Sequence, residues 1–303
     1  MSTVAIVEVE RGMKMKGLER LGESMHYIEE HLDRKIEAEE LASICCMSKF
    51  HFLRMFQMVT DMTLTSYIRN RRLTIAAREL LHPNVKVIDI ALKFGYETPE
   101  SFAKAFRKMH GISPSEVKKT QNPNRITAFP PLTFQITVKG EGKMNYQIVE
   151  KPAFNVMGTG LKVSTRDGDN FKEVPAFWKE VNNGKVGQLL EDLKSDTGVF
   201  GICMEFAPEQ EEFTYFVAVE KGEHVVPDGF VVKEIPASTW AVFHVVGAMP
   251  DAIQHTIKRI YAEWFPGTGY QHAGTAELEV YPPQRGKHSQ EDYQTEIWIP
   301  IIK

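Results

Sequence analysis

Two textures of hydrophobic and polar residues divide the chain. The first has helical spacing, and its strongest segment is "SKFHFLRMF", Ser48 to Phe56, where Phe52, Met55 and Phe56 fall on one side. Fifty positions later "TPESFAKAF", Thr98 to Phe106, repeats the arrangement with Phe102 and Phe106. Upstream of each lies a shorter apolar segment, "EELASICCM" (Glu39 to Met47) and "IDIALKFGY" (Ile88 to Tyr96), holding Ala42 and Ala91. Each pair predicts a short helix, a tight turn and a second helix opened by a Ser/Thr cap. Gly95 suits the positive φ that such a turn needs, whereas the first turn has Cys46 in that place. Between the units "LTSYIRNRRLTIAARELL", Leu64 to Leu81, predicts a stiff helix about 27 Å long, of the order of one DNA turn.

The second texture is alternating, as in strands, and it too is written twice. "VEKPAFNVMG" (from Val149) is echoed by "KEIPASTWAVF" (from Lys233), and each is followed by a helical segment, "VPAFWKEV" and "MPDAIQHTIKRIYAEWF". Then "MEFAP" answers "LEVYP", pairing Glu205 with Glu279, and each half closes on a β-rich run. The pattern is ββαββ, duplicated. The predicted fold is therefore multi-domain: an all-α tandem helix-turn-helix domain followed by an α+β domain of duplicated ββαββ units. The boundaries are an N-terminal extension at 1–16, the helical domain at 17–120, a linker at 121–143 and the α+β domain at 144–303. The linker is Pro/Gly-bearing and polar, and reads as a hinge with one strand, Phe134 to Val138.

Helix geometry assigns the first domain a task. With Phe52 at zero, Arg54 lies at about 200° and Phe50 at about 160°, with Leu53 and Gln57 on the flank. On the twin helix Glu100 and Lys104 take the outward bearings, and Arg107 stands where Gln57 stood. One face locks the helix to its partner and the other offers side chains to a major groove. Arginine can grip guanine bidentately, lysine can reach a base or a phosphate, and Phe50 can cover a thymine methyl. A lone amphipathic helix with solvated charges would look the same, but two in register on a stiff spacer favour a reader of duplex DNA. Charge agrees. Residues 48–120 hold 13 Lys/Arg against 6 Asp/Glu, whereas residues 144–303 hold 14 against 23.

This arrangement resembles the AraC family of transcription regulators from Leu21 to Lys119. The carriers are "SKFHFLRMF", "SYIRNRRLTIAARELL", "VIDIALKFGYETPESFAKAFRKMHGISP" and the closing Pro114. The resemblance implies seven helices and two adjacent major-groove contacts from one chain. By position it implies base contacts from Lys49, Phe50, Leu53 and Arg54, then from Glu100 and Lys104. Two departures stand out: Cys46 and Asp61 occupy places where the family has glycine.

The α+β half is rich in aromatics, among them Trp178, Tyr215, Phe216, Trp240, Trp264 and Tyr281, and Glu277, Glu279 and Tyr281 share one strand face. Most aromatics at such spacings are plain core, yet an aromatic box floored by a carboxylate suits a bulky organic cation. The seam between duplicated units is a natural cleft for it. From Met144 to Lys303 the chain resembles the GyrI-like small-molecule-binding domain, through "MNYQIVEKPAFNVMG", "IYAEWFPGTGY", "LEVYP" and "IWIPI". That resemblance implies an effector pocket with Glu279 at its centre and Trp264 among its aromatics. The domain order resembles the Rob-type regulators.

The expected function is a sequence-specific transcription regulator, not an enzyme, whose C-terminal cleft binds a small cationic, amphipathic effector. Its expected partners are double-stranded DNA, the effector and RNA polymerase. Two alternatives stay open: small-molecule hydrolysis at Glu279 and Tyr281, and a vestigial pocket. No CxxC or HExxH spacing occurs, so neither metal nor cofactor is expected. The three cysteines (Cys45, Cys46 and Cys203) read as reduced thiols. "MSTVAIVEVE" is too short and acidic for a signal peptide, and no 18-residue apolar run occurs, so a cytoplasmic location without membrane contact is expected.

Overall fold

The computed structural model describes residues 4–8, 15–137, 144–208, 210–283 and 290–303. Val138, the last residue of the predicted linker strand, lies outside them. The described residues gather into two compact units. The first takes in Met15–Phe52 and Leu64–Thr137; the second takes in Leu53–Thr63 and the C-terminal half.

The front of the chain runs β1 (Val4–Glu8), α1 (Met15–Glu30), α2 (Ala38–Ile44), α3 (Lys49–Thr60), α4 (Leu64–Glu79), α5 (Val87–Lys93), α6 (Pro99–His110) and α7 (Pro114–Thr120). The seven α-helices described between Met15 and Thr120 match the count expected for that domain. The caps are those the sequence predicts: Ser48 Oγ accepts from the His51 amide at 3.2 Å, and Thr98 Oγ1 accepts from the Ser101 amide at 3.1 Å. The turns α2–α3 and α5–α6 contain left-handed residues at Cys46 (φ 54°) and Gly95 (φ 81°). Helices α3 and α6 are followed by two more, Asp61 (φ 57°) and Gly111 (φ 72°). Cysteine and aspartate thus hold, in the first helix-turn-helix, a conformation that glycine adopts without strain in the second helix-turn-helix.

Within the first unit α4, α5, α6 and α7 share a core in which Leu73, Ala76, Leu80, Ile90, Phe102 and Phe106 are buried. Two arginines of α4 have internal work. Arg71 is buried and grips Glu29 of α1 through Nε (2.9 Å) and Nη2 (2.7 Å), and it also donates to the Phe129 carbonyl. Arg72 donates to the carbonyls of Leu32 and Arg34. The first stretch of the expected hinge is consequently ordered. The Phe129 amide donates to Thr74 Oγ1 (3.0 Å) and the Leu132 amide to Tyr67 Oη (3.2 Å). Strand β2 (Thr133–Thr137) pairs with β1, so the N-terminal extension includes a strand that helical patterning did not anticipate.

The second unit carries β3 (Tyr146–Lys151), β4 (Phe154–Ser164), α8 (Asn170–Asn183), α9 (Lys185–Leu193), β5 (Val199–Ala207) and β6 (Glu212–Glu220). The second copy follows as β7 (Val231–Ile235), β8 (Ser238–Val246), α10 (Asp251–Arg259), a π turn at Ile260–Trp264, α11 (Phe265–Thr268), β9 (Gln271–His272), β10 (Glu277–Tyr281) and β11 (Gln294–Ile302). The main strands order β3-β8-β11-β10-β5-β6-β4-β7, all neighbours antiparallel, with β9 beside β11. Read from either end the order is the same by repeat position. The first strand of each copy lies beside the second strand of the other, and the two copies meet at β5–β10. Alternation sorts the sheet faces: Val217, Val219 and Tyr215 pack with Val181 and Leu190 of α8 and α9, while Phe216, Ala218 and Trp240 pack on the opposite side.

Replacing Arg71 by alanine removes the partner of a mostly buried carboxylate. The substitution should lower stability by about 3–5 kcal/mol, read as a shift in the urea midpoint of the full chain.

Candidate functional site: a carboxylate in an aromatic cavity

The meeting of β5 and β10 sets the chemistry. In register, Glu279 lies opposite Gly201, and Cys203 opposite Glu277. Gly201 has no side chain to compete for the space: a Cβ there would lie 2.3 Å from Tyr215 Oη and 2.7 Å from Glu279 Oε2. Through that gap Tyr215 Oη donates to Glu279 Oε2 at 2.6 Å, and Tyr281 Oη donates to the same oxygen at 2.9 Å. Trp178 Nε1 of α8 donates to Tyr215 Oη at 2.7 Å, and its ring stands edge-on to Tyr281, with centroids 5.1 Å apart. Among the described residues the other oxygen of Glu279 has no donor.

Burial dominates the protonation of this group. It pushes the Glu279 carboxyl above the usual carboxylate range, against the pull of the two tyrosine hydroxyls, and it drives Tyr215 and Tyr281 well above theirs. Glu279, Tyr215, Tyr281 and Trp178 line a cavity of about 1370 Å³ with Phe171. Two residues of α3, Arg54 and Met58, line it too.

Two residues along the strand, Glu277 holds a different partner. Arg54 donates to it bidentately, Nε to Oε1 at 2.7 Å and Nη2 to Oε2 at 2.5 Å, with 10% and 6% of the two side chains exposed. Tyr261 Oη donates to Oε1 at 2.7 Å, and His272 Nε2 lies 3.3 Å from the same atom. The Arg54 guanidinium also lies over the rings of Phe206 (5.4 Å) and Tyr261 (5.8 Å). Burial alone would raise the Glu277 carboxyl, but Arg54 overrides it and holds the group well below the usual range. Burial likewise opposes the charge of Arg54, and Glu277 overrides that in turn. The two neighbouring carboxylates are thus unlike: one is paired with a guanidinium, and the other, among the described residues, is bonded only by hydroxyls.

A family profile described as integron-associated effector binding protein matches residues 147–301, and a helix-turn-helix domain profile matches 41–120. The regulator YbfP of Bacillus subtilis is 42% identical over 91 residues, which are 30% of this chain and 31% of that protein. The activator AarP of Providencia stuartii is 40% identical over 95 residues, 31% of this chain and 70% of that protein. The chain belongs to the AraC family of DNA-binding transcription regulators. Its C-terminal half belongs to the integron-associated effector-binding family. The crystal structure of a putative transcription regulation protein from Staphylococcus aureus MU50 covers 52% of this chain and 99% of its own length, with 21% identity and a TM-score of 0.45.

Against this AraC-family frame the predicted residues divide. Glu100, Lys104 and Arg107 stand exposed on α6, on the outward side that the helix arithmetic predicts. On α3, Phe52, Met55 and Phe56 are buried as predicted, Phe50 and Leu53 are partly covered, and Lys49 pairs with Glu39 at 2.9 Å. Arg54 departs from the expectation of an open charge, because Glu277 encloses it.

The ligand residues divide as well. Trp178, Tyr215, Glu279 and Tyr281 converge on the cavity. Phe216 does not, since it alternates with Tyr215 and faces the opposite core. Nor does Trp264, which is packed among Tyr146, Phe243, Phe265 and Tyr270. Glu205, the repeat partner of Glu279, sits at a bulge (φ 52°) and pairs with Lys233 and Thr214 at the surface. The residues that sequence reasoning missed include Gly201, Phe171, Arg54 in its cavity role and Met58. Only Gly201 carried a signal, as a small residue inside an otherwise bulky strand.

Gly201→Ala should crowd Tyr215 away from Glu279. We expect a loss of about 1–3 kcal/mol in stability, measured as the denaturation midpoint of the variant against the parent chain.

Proposed function

We propose that the chain regulates transcription by reading duplex DNA through α6 and α3, and that the cavity beside Glu279 takes a bulky aromatic cation as effector. The observation that carries the second part is the Glu279 carboxyl. It is half-buried and bonded through one oxygen to two hydroxyls, its other oxygen has no donor among the described residues, and it lines a cavity with Trp178, Tyr215 and Tyr281. Among the described residues no cation is bonded to this carboxylate, and aromatic faces attract cations. Arg54 is bonded bidentately to Glu277 and not to Glu279. What supports the first part is family membership together with the exposed side chains of Glu100, Lys104 and Arg107 on α6.

Tetraphenylphosphonium added to the full chain should quench tryptophan fluorescence through Trp178. Glu279→Gln should weaken its binding by about 2 kcal/mol or more; equal affinities would exclude Glu279 as the anchor. The sign of the pH dependence follows from the raised Glu279 carboxyl. A cation binds the ionised form, so a proton competes with it, and affinity should fall as pH is lowered from about 8 to about 5. In Glu279→Gln that slope should be flat.

For DNA, Lys104→Ala should cost about 1–3 kcal/mol on a selected site if the side chain reads a base. Gel shifts on scrambled duplexes separate the cases, since an equal loss on every sequence indicates a phosphate contact.

A further inference from the structure

Residues Leu53–Thr63 include most of the first recognition helix, yet they cluster with the second unit. Polar ties among the described residues hold them there. Arg54 is gripped by Glu277, Thr63 Oγ1 donates to the buried Glu211, and Lys258 Nζ lies 2.8 Å from Asp61. The first tie matters most, because it takes the side chain best suited to grip a guanine and encloses it. The same segment also walls the effector cavity, through Arg54 and Met58.

Glu277 and Glu279 stand two residues apart on β10, so their side chains share one face of the sheet. They form one negative region, and Arg54 is the cation now seated in it. A second cation drawn to Glu279 enters the same poorly screened space. It cancels part of the field that holds Arg54 and adds a like charge beside it. Two cations competing for one pair of carboxylates must weaken each other's binding, and by linkage the effect is reciprocal.

We infer that Arg54 is an internal tenant of the effector site, and that a cationic effector evicts it, releasing Leu53–Thr63 so that the first recognition helix can read DNA. The inference rests on the reading of the cavity as a cation site. A ligand shifts such an equilibrium only by binding the two states unequally, and the charge competition supplies that inequality. The effector is therefore an inducer of DNA reading by α3, not a clamp on it.

Three measurements on the full chain test this. In the ligand-free protein, Glu277→Gln should speed hydrogen exchange of the Leu53–Thr63 amides by roughly tenfold or more, with the amides of β5 and β10 as the control for an intact sheet. In the parent chain, saturating tetraphenylphosphonium should speed exchange over the same segment. Arg54→Gln should raise affinity for tetraphenylphosphonium by about fivefold or more. If the cation binds, Arg54→Gln leaves its affinity unchanged or lower, and exchange over Leu53–Thr63 is unchanged or slowed, the inference is overturned. If Glu277→Gln disturbs the sheet control as well, the Arg54→Gln affinity decides alone. Should tetraphenylphosphonium cause no quenching at all, the effector reading fails with its induction step. The hold on Arg54 is then still judged by Glu277→Gln, and unchanged exchange there overturns it.

Discussion

A guanidinium taken out of water is tolerable only beside an anion, and Arg54 has one such neighbour in Glu277. Much of the functional arrangement depends on this pair. It holds the Leu53–Thr63 segment in the second unit, leaves Glu279 bonded among the described residues only by hydroxyls, and puts a recognition-helix side chain in the cavity wall. Neither ion could be buried alone. Tyr261 and His272 on the carboxylate, with Phe206 on the guanidinium, complete a surrounding in which both charges are satisfied.

Duplication is what brings the two carboxylates to the centre. Because the copies meet at β5 and β10, the middle of the sheet is a place where each contributes a strand. The copies are not equivalent in chemistry. Glu279 is enclosed by Tyr215 from the first copy and Tyr281 from the second, while its counterpart Glu205 is turned out at a bulge. Gly201 completes the asymmetry by leaving space on one strand for an acidic group on the other.

The helical third was legible in detail because its signals are local. Caps at Ser48 and Thr98, left-handed turns at Cys46 and Gly95, and the buried stripe through Phe52 and Phe56 depend on residues within a turn or two of one another. The duplicated ββαββ pattern and the pairing of Glu279 with aromatics were also readable, since strand alternation puts Glu279 and Tyr281 on one face. Which aromatics would join them was not. Phe216 and Tyr215 are adjacent in sequence and opposite in space, and only the depth of each sheet face decides which one meets the cavity. The partner of Arg54 lies 223 residues away. Helix arithmetic gave its bearing correctly, but a bearing says nothing of what stands in that direction. Likewise, the partners of Arg71 and Arg72 were not legible, because Glu29 and the carbonyls of Leu32, Arg34 and Phe129 are remote in the chain.

The exchange of first strands between the copies has a consequence for how this half of the protein can change. Strand β3 completes the sheet margin of the second copy, and β7 does the same for the first. Neither copy is a self-sufficient module, so a chain severed between β6 and β7 would yield two fragments that each carry the other's missing border. Such interlocked repeats are free to diverge in their side chains, as Glu205 and Glu279 have, but they are bound to persist or be lost together.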